Sequence, residues 1–190
     1  MIILLDAGSN KTNTIEDIID NVCDVRRVPL LDLKQEDFEG IKGIVISGAP
    51  ILVTEVPTEV YIDKMKMVIE TKLPIFGICF GHQLLGLHFG AEASRMKEDR
   101  DLQLIEVFEE SILFNRLPNE INMMEDHCET ISIPGGFQLV ASSDACVNEA
   151  MQHTSLPYFG VQFHPEVSGN HGAIVIENFA EFCLRGGQRF

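Results

Sequence analysis

Basic residues are scarce in this 190-residue chain. Fourteen Lys and Arg stand against 29 Asp and Glu, for a net charge of −15. Phosphate backbones are held by basic faces, so this balance argues against nucleic acid as a partner and otherwise reads as a solvated acidic surface. Long apolar runs are missing as well. No stretch reaches the roughly 18 uninterrupted apolar residues of a membrane helix. The opening Met1-Ile2-Ile3-Leu4-Leu5 is too short for a signal peptide, lacks a basic start and ends at Asp6, so a first buried strand is expected there. The five cysteines, at positions 23, 79, 128, 146 and 183, are odd in number and have no paired metal-ligand spacing. That argues against a disulfide framework and a metal finger, and favours a reducing cytoplasm. Neither Gly-x-Gly-x-x-Gly nor Gly-Lys-Ser/Thr occurs, which leaves Gly8-Ser9 a poor candidate for a phosphate loop. There is no repeat, linker or low-complexity segment. With 45% hydrophobic residues the chain can bury a proper core, and one domain over 1–190 is expected.

What is present alternates. Apolar runs at 2–5, 25–28 and 43–47 read as strands. Thr14 with Glu16 opens a helical pattern, and 57–72 carries Val60, Ile62, Met65, Val68 and Ile69 at helical spacing. Strands alternating with helices predict an α/β fold with a mostly parallel central sheet covered on both faces. The second half changes style. Shorter strands at 91–96, 102–108, 121–124, 130–133, 137–142 and 147–152 are punctuated by turns such as Pro134-Gly135-Gly136, and predict a small antiparallel flap added to that sheet. The chain returns to the sheet at 159–163 and closes with a helix at 173–184.

The chemistry centres on Leu73-Pro74-Ile75-Phe76-Gly77-Ile78-Cys79-Phe80-Gly81-His82-Gln83. A short apolar strand ends in Gly-x-Cys-x-Gly and a helical pattern follows at once. This is the pattern of a nucleophile elbow with sulfur in the serine position. Glycines flank the turn because a Cβ there would strike neighbouring backbone. The turn seats the Cys79 sulfur at a helix N-terminus, whose free N–H groups and dipole favour a thiolate. Free cysteine otherwise packs as a small hydrophobe. A second run, Tyr158-Phe159-Gly160-Val161-Gln162-Phe163-His164-Pro165-Glu166, ends in a base and a carboxylate. Residues two apart on an extended chain point to one side, and Pro165 is expected to hold the segment extended, so His164 and Glu166 can be co-oriented. A thiol nucleophile needs a base, and the base needs a carboxylate to fix its tautomer. A metal site from His164, Glu166 and His171 is a weaker use of the same residues, because no further ligand pair has suitable spacing.

Together Cys79, Gln83 and His164-Pro165-Glu166 resemble the triad signature of the class I glutamine amidotransferases, and Gly43-Ile44-Val45-Ile46-Ser47-Gly48-Ala49-Pro50 resembles that family's oxyanion strand. Within the family, Glu149-Ala150-Met151-Gln152-His153 and Gly160 through Val167 are most similar to the stand-alone glutaminase subunit of GMP synthetase. The resemblance implies a flavodoxin-like fold and hydrolysis of glutamine through a Cys79 thioester, with His164 as base and Glu166 orienting it. It implies backbone oxyanion donors from Phe80 and from Gly48 and Ala49, and glutamine contacts by Gln83 and His127. It also implies a separate ATP-pyrophosphatase subunit that turns XMP into GMP. ATP and magnesium belong to that partner; no cofactor or metal is expected on this chain. Open alternatives are service to another acceptor synthetase, a stand-alone γ-glutamyl cysteine hydrolase, and a non-catalytic regulatory domain that keeps the fold.

Several positions depart from the pattern. Ala49 stands where the family has its second glycine, which carries strain of order 1 kcal/mol if the turn needs a positive φ. The 6–12 loop lacks the subfamily's Gly-Gln-aromatic sequence, Glu129 replaces Asp in the His127-x-Asp motif, and 168–171 lacks its His-Thr.

Overall fold

The computed structural model describes residues 1–187; the last three positions of the expected 1–190 unit lie outside it. Along the chain β1 (Ile2–Asp6), α1 (Thr12–Asp20), β2 (Val25–Pro29), β3 (Gly43–Ile46), α2 (Glu59–Glu70), β4 (Ile75–Ile78) and α3 (Phe80–His88) alternate. Then come β5 (Ala93–Asp99), β6 (Leu102–Val107), β7 (Glu120–Met124), β8 (His127–Ile131), β9 (Phe137–Ser142), β10 (Ala150–His153) and β11 (Tyr158–Val161), and α4 (Gly169–Leu184) closes the fold.

Nine strands form one sheet in the order β2-β1-β3-β4-β11-β10-β9-β6-β7. From β2 to β11 neighbouring strands run parallel. β1, β3, β4 and β11 are near-continuous apolar runs because helices cover both of their faces. Alternation decides which residue meets which helix. Ile2 and Leu4 of β1 join the core built with Ile15 of α1 and Phe179 of α4. Ile3 and Leu5 join the opposite core with Met65 and Val68 of α2 and Leu84 of α3. Each such side chain, fully buried, contributes about 1.5–3 kcal/mol.

The α/β class and its covered parallel sheet are as expected, but the antiparallel half is arranged differently. β10, β9, β6 and β7 are not a flap: they continue the central sheet as antiparallel strands beyond β11. Only β5 and β8 form a separate two-stranded ribbon, with a register shift between Arg95 and Asp99. The first helix also starts earlier than expected. Thr14 is not its cap; α1 begins at Thr12, whose hydroxyl oxygen lies 2.9 Å from both Asp6 Oδ1 and the Ser9 carbonyl, outside the helix. No helix among the described residues is long and apolar enough to cross a membrane.

Candidate active site

The elbow forms where β4 meets α3. Cys79 has φ +51° and ψ −106°, a conformation that costs a residue with a Cβ of order 1–3 kcal/mol. The surroundings hold it there. The Cys79 N–H donates to the Val161 carbonyl at 2.8 Å, and the Gln83 N–H donates back to the Cys79 carbonyl at 3.0 Å. The flanking glycines are needed for space. A Cβ on Gly77 would stand 2.5 Å from the Gly81 carbonyl, and one on Gly81 would strike the Ile46 carbonyl.

His164 lies just past β11, next to Met124 at the end of β7, and its N–H donates to the Met124 carbonyl at 2.8 Å. Ser168 ties both strand ends together: its hydroxyl donates to the His164 carbonyl at 2.6 Å and accepts from the Met124 N–H at 2.8 Å. The His164–Glu166 segment is not extended as expected. Pro165–Val167 is a turn of 3-10 helix, and this tighter path still brings Glu166 Oε1 within 2.8 Å of His164 Nδ1. Cys79 lies beside the same ring and favours its charged form. Burial opposes a charge on this ring, but Cys79 and Glu166 outweigh it and push His164 up from 6.5 to about 10. A proton on the ring is thus held from both sides. His82, closer to Cys79 in sequence, is different: burial pushes it down to about 3, so it stays neutral in the core.

Gly48 and Ala49 follow β3 and pass against this pair. A Cβ on Gly48 would lie 3.2 Å from His164 Cε1 and 3.6 Å from the Cys79 Cβ. Ala49 does not have a positive φ, so the strain allowed for at this position is not incurred. Phe80 opens α3, and its N–H therefore has no partner inside the helix.

A cavity of about 710 Å³ opens over Cys79 and His164. Gly8 to Lys11, Ala49 to Leu52, Gln83 and the β5–β8 ribbon wall it. The 6–12 loop, which departs from the subfamily pattern, is therefore a wall of the site. Lys11 bridges to Asp126 at 2.7 Å across the mouth, and Arg100 approaches Asp126 at 3.4 Å. Glu129 accepts the Val53 N–H at 2.7 Å, the Thr54 N–H at 3.1 Å and the Thr54 hydroxyl, and so fixes the 53–54 turn against β8.

The two expected glutamine contacts differ. Gln83 reaches the cavity, with its amide donating to Gln162 Oε1 at 3.1 Å. His127 lines the cavity but turns both nitrogens to protein atoms: Nδ1 lies 2.8 Å from the Glu129 carbonyl and Nε2 3.0 Å from Glu125 Oε2. Gln162 was missed by the sequence reading. It is fully buried, and its amide sits 3.7 Å from Cys79 Sγ. The available signal was a lone polar residue in an apolar strand run, which must find a partner when buried. His171 is exposed on α4 and belongs to no metal-binding group. The one group among the described residues with ligand spacing is His127, Cys146 and Glu149. Within it, burial pushes Glu149 up to about 8 and the Cys146 thiol up to about 12, and beside it Glu125 rises to about 8 for the same reason.

A family model for the class I glutamine amidotransferases matches residues 3–182. A subunit of glutamine-hydrolyzing GMP synthase from Thermococcus kodakarensis is 41% identical over 145 residues, covering 75% of this chain and 76% of the relative. Its counterpart of the same name from Methanocaldococcus jannaschii is 34% identical over 189 residues, covering 96% and 97%. A crystal structure of a candidate GMP synthase subunit from Thermoplasma acidophilum superposes with a TM-score of 0.89 at 30% identity, covering 97% of this chain and 94% of that one.

Proposed function

Because the chain belongs to the class I glutamine amidotransferases, we propose that it hydrolyses glutamine and passes the ammonia to a separate ATP-pyrophosphatase subunit that converts XMP to GMP. One observation carries the chemistry. The sulfur on the strained elbow shares the floor of a cavity with room for glutamine with an imidazole whose Nδ1 is 2.8 Å from a buried carboxylate.

The steps follow from that arrangement. The Cys79 sulfur attacks the side-chain amide carbon of glutamine while His164 holds the thiol proton, and the carbonyl oxygen becomes an oxyanion. The Phe80 N–H at the start of α3 and the Ala49 N–H beside Gly48 are the donors assigned to it; one such donor is worth about 3 kcal/mol, or roughly 10²–10³ in rate. As the tetrahedral centre collapses, the carbon–nitrogen bond breaks and His164 protonates the leaving nitrogen, which departs as ammonia. Water, activated by the now neutral His164, attacks the γ-glutamyl thioester. Glutamate leaves and the proton returns to the Cys79–His164 pair. Glu166 keeps the imidazole oriented throughout and stabilises its cation. Gln162, through its amide near the sulfur, and Gln83, through Gln162, set the position of the nucleophile. Every step is assigned to a group of this chain; ATP and magnesium belong to the partner's half of the reaction.

The reading places the protein in the cytoplasm, where its five free cysteines would remain reduced. A reconstitution tests it. With glutamine, ATP and XMP, this chain plus the pyrophosphatase subunit forms GMP, and Cys79→Ser abolishes that reaction while synthesis from ammonium persists. Strong partner-free turnover of γ-glutamyl peptides, or loss of both glutamine- and ammonia-dependent synthesis in Cys79→Ser, contradicts it.

A further inference from the structure

A buried group of side chains between the β7–β8 turn and the β9–β10 connection takes no part in the proposed reaction. One donor atom each of His127, Cys146 and Glu149 lies within 4.8 Å of the other two. Glu125 lies outside that group and borders it, with Oε2 3.0 Å from His127 Nε2. None of the four residues is more than 7% exposed.

Each of the three core members is held from outside. His127 Nδ1 is 2.8 Å from the Glu129 carbonyl, which can only accept, so Nδ1 carries the proton and Nε2 offers a lone pair. Glu149 Oε1 accepts from the Ser143 hydroxyl at 2.7 Å. The Thr130 hydroxyl lies 3.2 Å from Cys146 Sγ. These are the outer contacts that fix tautomer and direction at a metal centre. Among the inner atoms, Glu149 Oε2 and Glu125 Oε1 have no hydrogen-bond partner, and His127 Nε2 meets only Glu125 Oε2. Acceptor atoms thus converge in a dry interior, an arrangement that a shared proton or a bound cation between them stabilises. A tetrahedral ion with bonds of about 2.0 Å to nitrogen and oxygen holds its donors about 3.3 Å apart, close to the His127–Glu125 separation.

We infer that His127, Cys146, Glu149 and Glu125 form a structural binding site for a divalent transition-metal cation of zinc type. The mixed nitrogen, sulfur and oxygen donors suit a borderline-soft ion, and four protein ligands leave no open position for catalysis. On binding, the Cys146 thiol releases its proton to solvent and a sulfur–metal bond forms. The ion would pin the wall residue His127 to the β9–β10 connection. The inference does not depend on the reaction proposed above.

Cobalt(II) and zinc(II) are the probes. Chelator-stripped protein is expected to take up one cobalt(II) per chain with thiolate-to-cobalt charge-transfer absorption. Cys79→Ala keeps that absorption, Cys146→Ser loses it, and Glu149→Gln weakens uptake at least tenfold. Zinc(II) raises the melting temperature of the stripped wild type and leaves that of Cys146→Ser unchanged. Circular dichroism of the two site variants checks that they fold; should Cys146→Ser fail to, the wild-type stoichiometry and Glu149→Gln decide. Failure of the wild type to bind either ion, meaning that the four side chains share only a proton, overturns the inference, as does unchanged absorption in folded Cys146→Ser.

Discussion

Replacing Cys79 by glycine and by alanine separates the strain of the elbow from the chemistry of its sulfur. Both variants lose the thiol, so its burial cancels between them. The backbone does not cancel. At φ +51° and ψ −106°, alanine retains a Cβ conflict of order 1–3 kcal/mol that glycine relieves. Against this, glycine gives the unfolded chain extra freedom of about 0.5–1 kcal/mol and forgoes about 0.8 kcal/mol of methyl burial at most. With the strain at the middle of its range, about 2 kcal/mol, the balance favours glycine by about 0.5 kcal/mol. At an ordinary buried position with negative φ the order is the reverse. For a chain of this length, about 0.5 kcal/mol corresponds to roughly 1–2 °C in Tm. Thermal unfolding followed by circular dichroism should therefore place Cys79→Gly above Cys79→Ala, with glutaminase activity absent from both. Cys79→Gly melting at or below Cys79→Ala would refute the strained-elbow account.

Glu166→Gln removes one of the two partners that keep His164 protonated. It should lower kcat roughly 10²–10⁴-fold and move the alkaline limb of the glutaminase pH profile to lower pH. The raised His164 value also sets a stability window: its contribution is complete below 6.5 and is lost as pH rises through about 10, so the Tm values of wild type and His164→Gln should converge at the alkaline end. Gly81→Ala drives a methyl into the Ile46 carbonyl and should lower stability by about 1–3 kcal/mol in denaturant titrations. Glu129→Gln weakens the anchor of the 53–54 turn, where hydrogen bonds to a charged group are worth about 1.5–3 kcal/mol, and steady-state kinetics should show KM rising more than kcat falls.

The elbow was legible because most of its constraint is local: Gly77, Cys79 and Gly81 lie within one turn, and the Gly81 backbone that excludes a Cβ on Gly77 belongs to it, whereas the Ile46 carbonyl that excludes one on Gly81 comes from β3. The pairing of His164 with Glu166 was also legible, but by a route the molecule does not take. Two-residue spacing on a strand and a 3-10 turn after Pro165 both put a carboxylate beside the imidazole. The start of α1 was misread because Thr12 is held by Asp6 and Ser9, which lie outside the helix that the pattern at Thr14 suggested. The antiparallel half was misplaced for a related reason. Short strands such as β6, with its mixed burial, state their own conformation but not their neighbour, and the pairing of β9 with β6 and β10 emerges only in the folded sheet. Contacts across the fold left the faintest trace. Gln162 beside Cys79, and Cys146 and Glu149 beside His127, join segments whose proximity no periodicity encodes.

The central claim is that the Cys79 sulfur, served by His164, is the nucleophile for a glutamine side chain. Intact-protein and peptide mass spectrometry after incubation with a glutamine-analogue electrophile tests it most directly. The account predicts one adduct per chain, on Cys79, forming far more slowly in His164→Ala. No adduct at saturating reagent, or one carried by any of the other four cysteines at the wild-type rate, would contradict it.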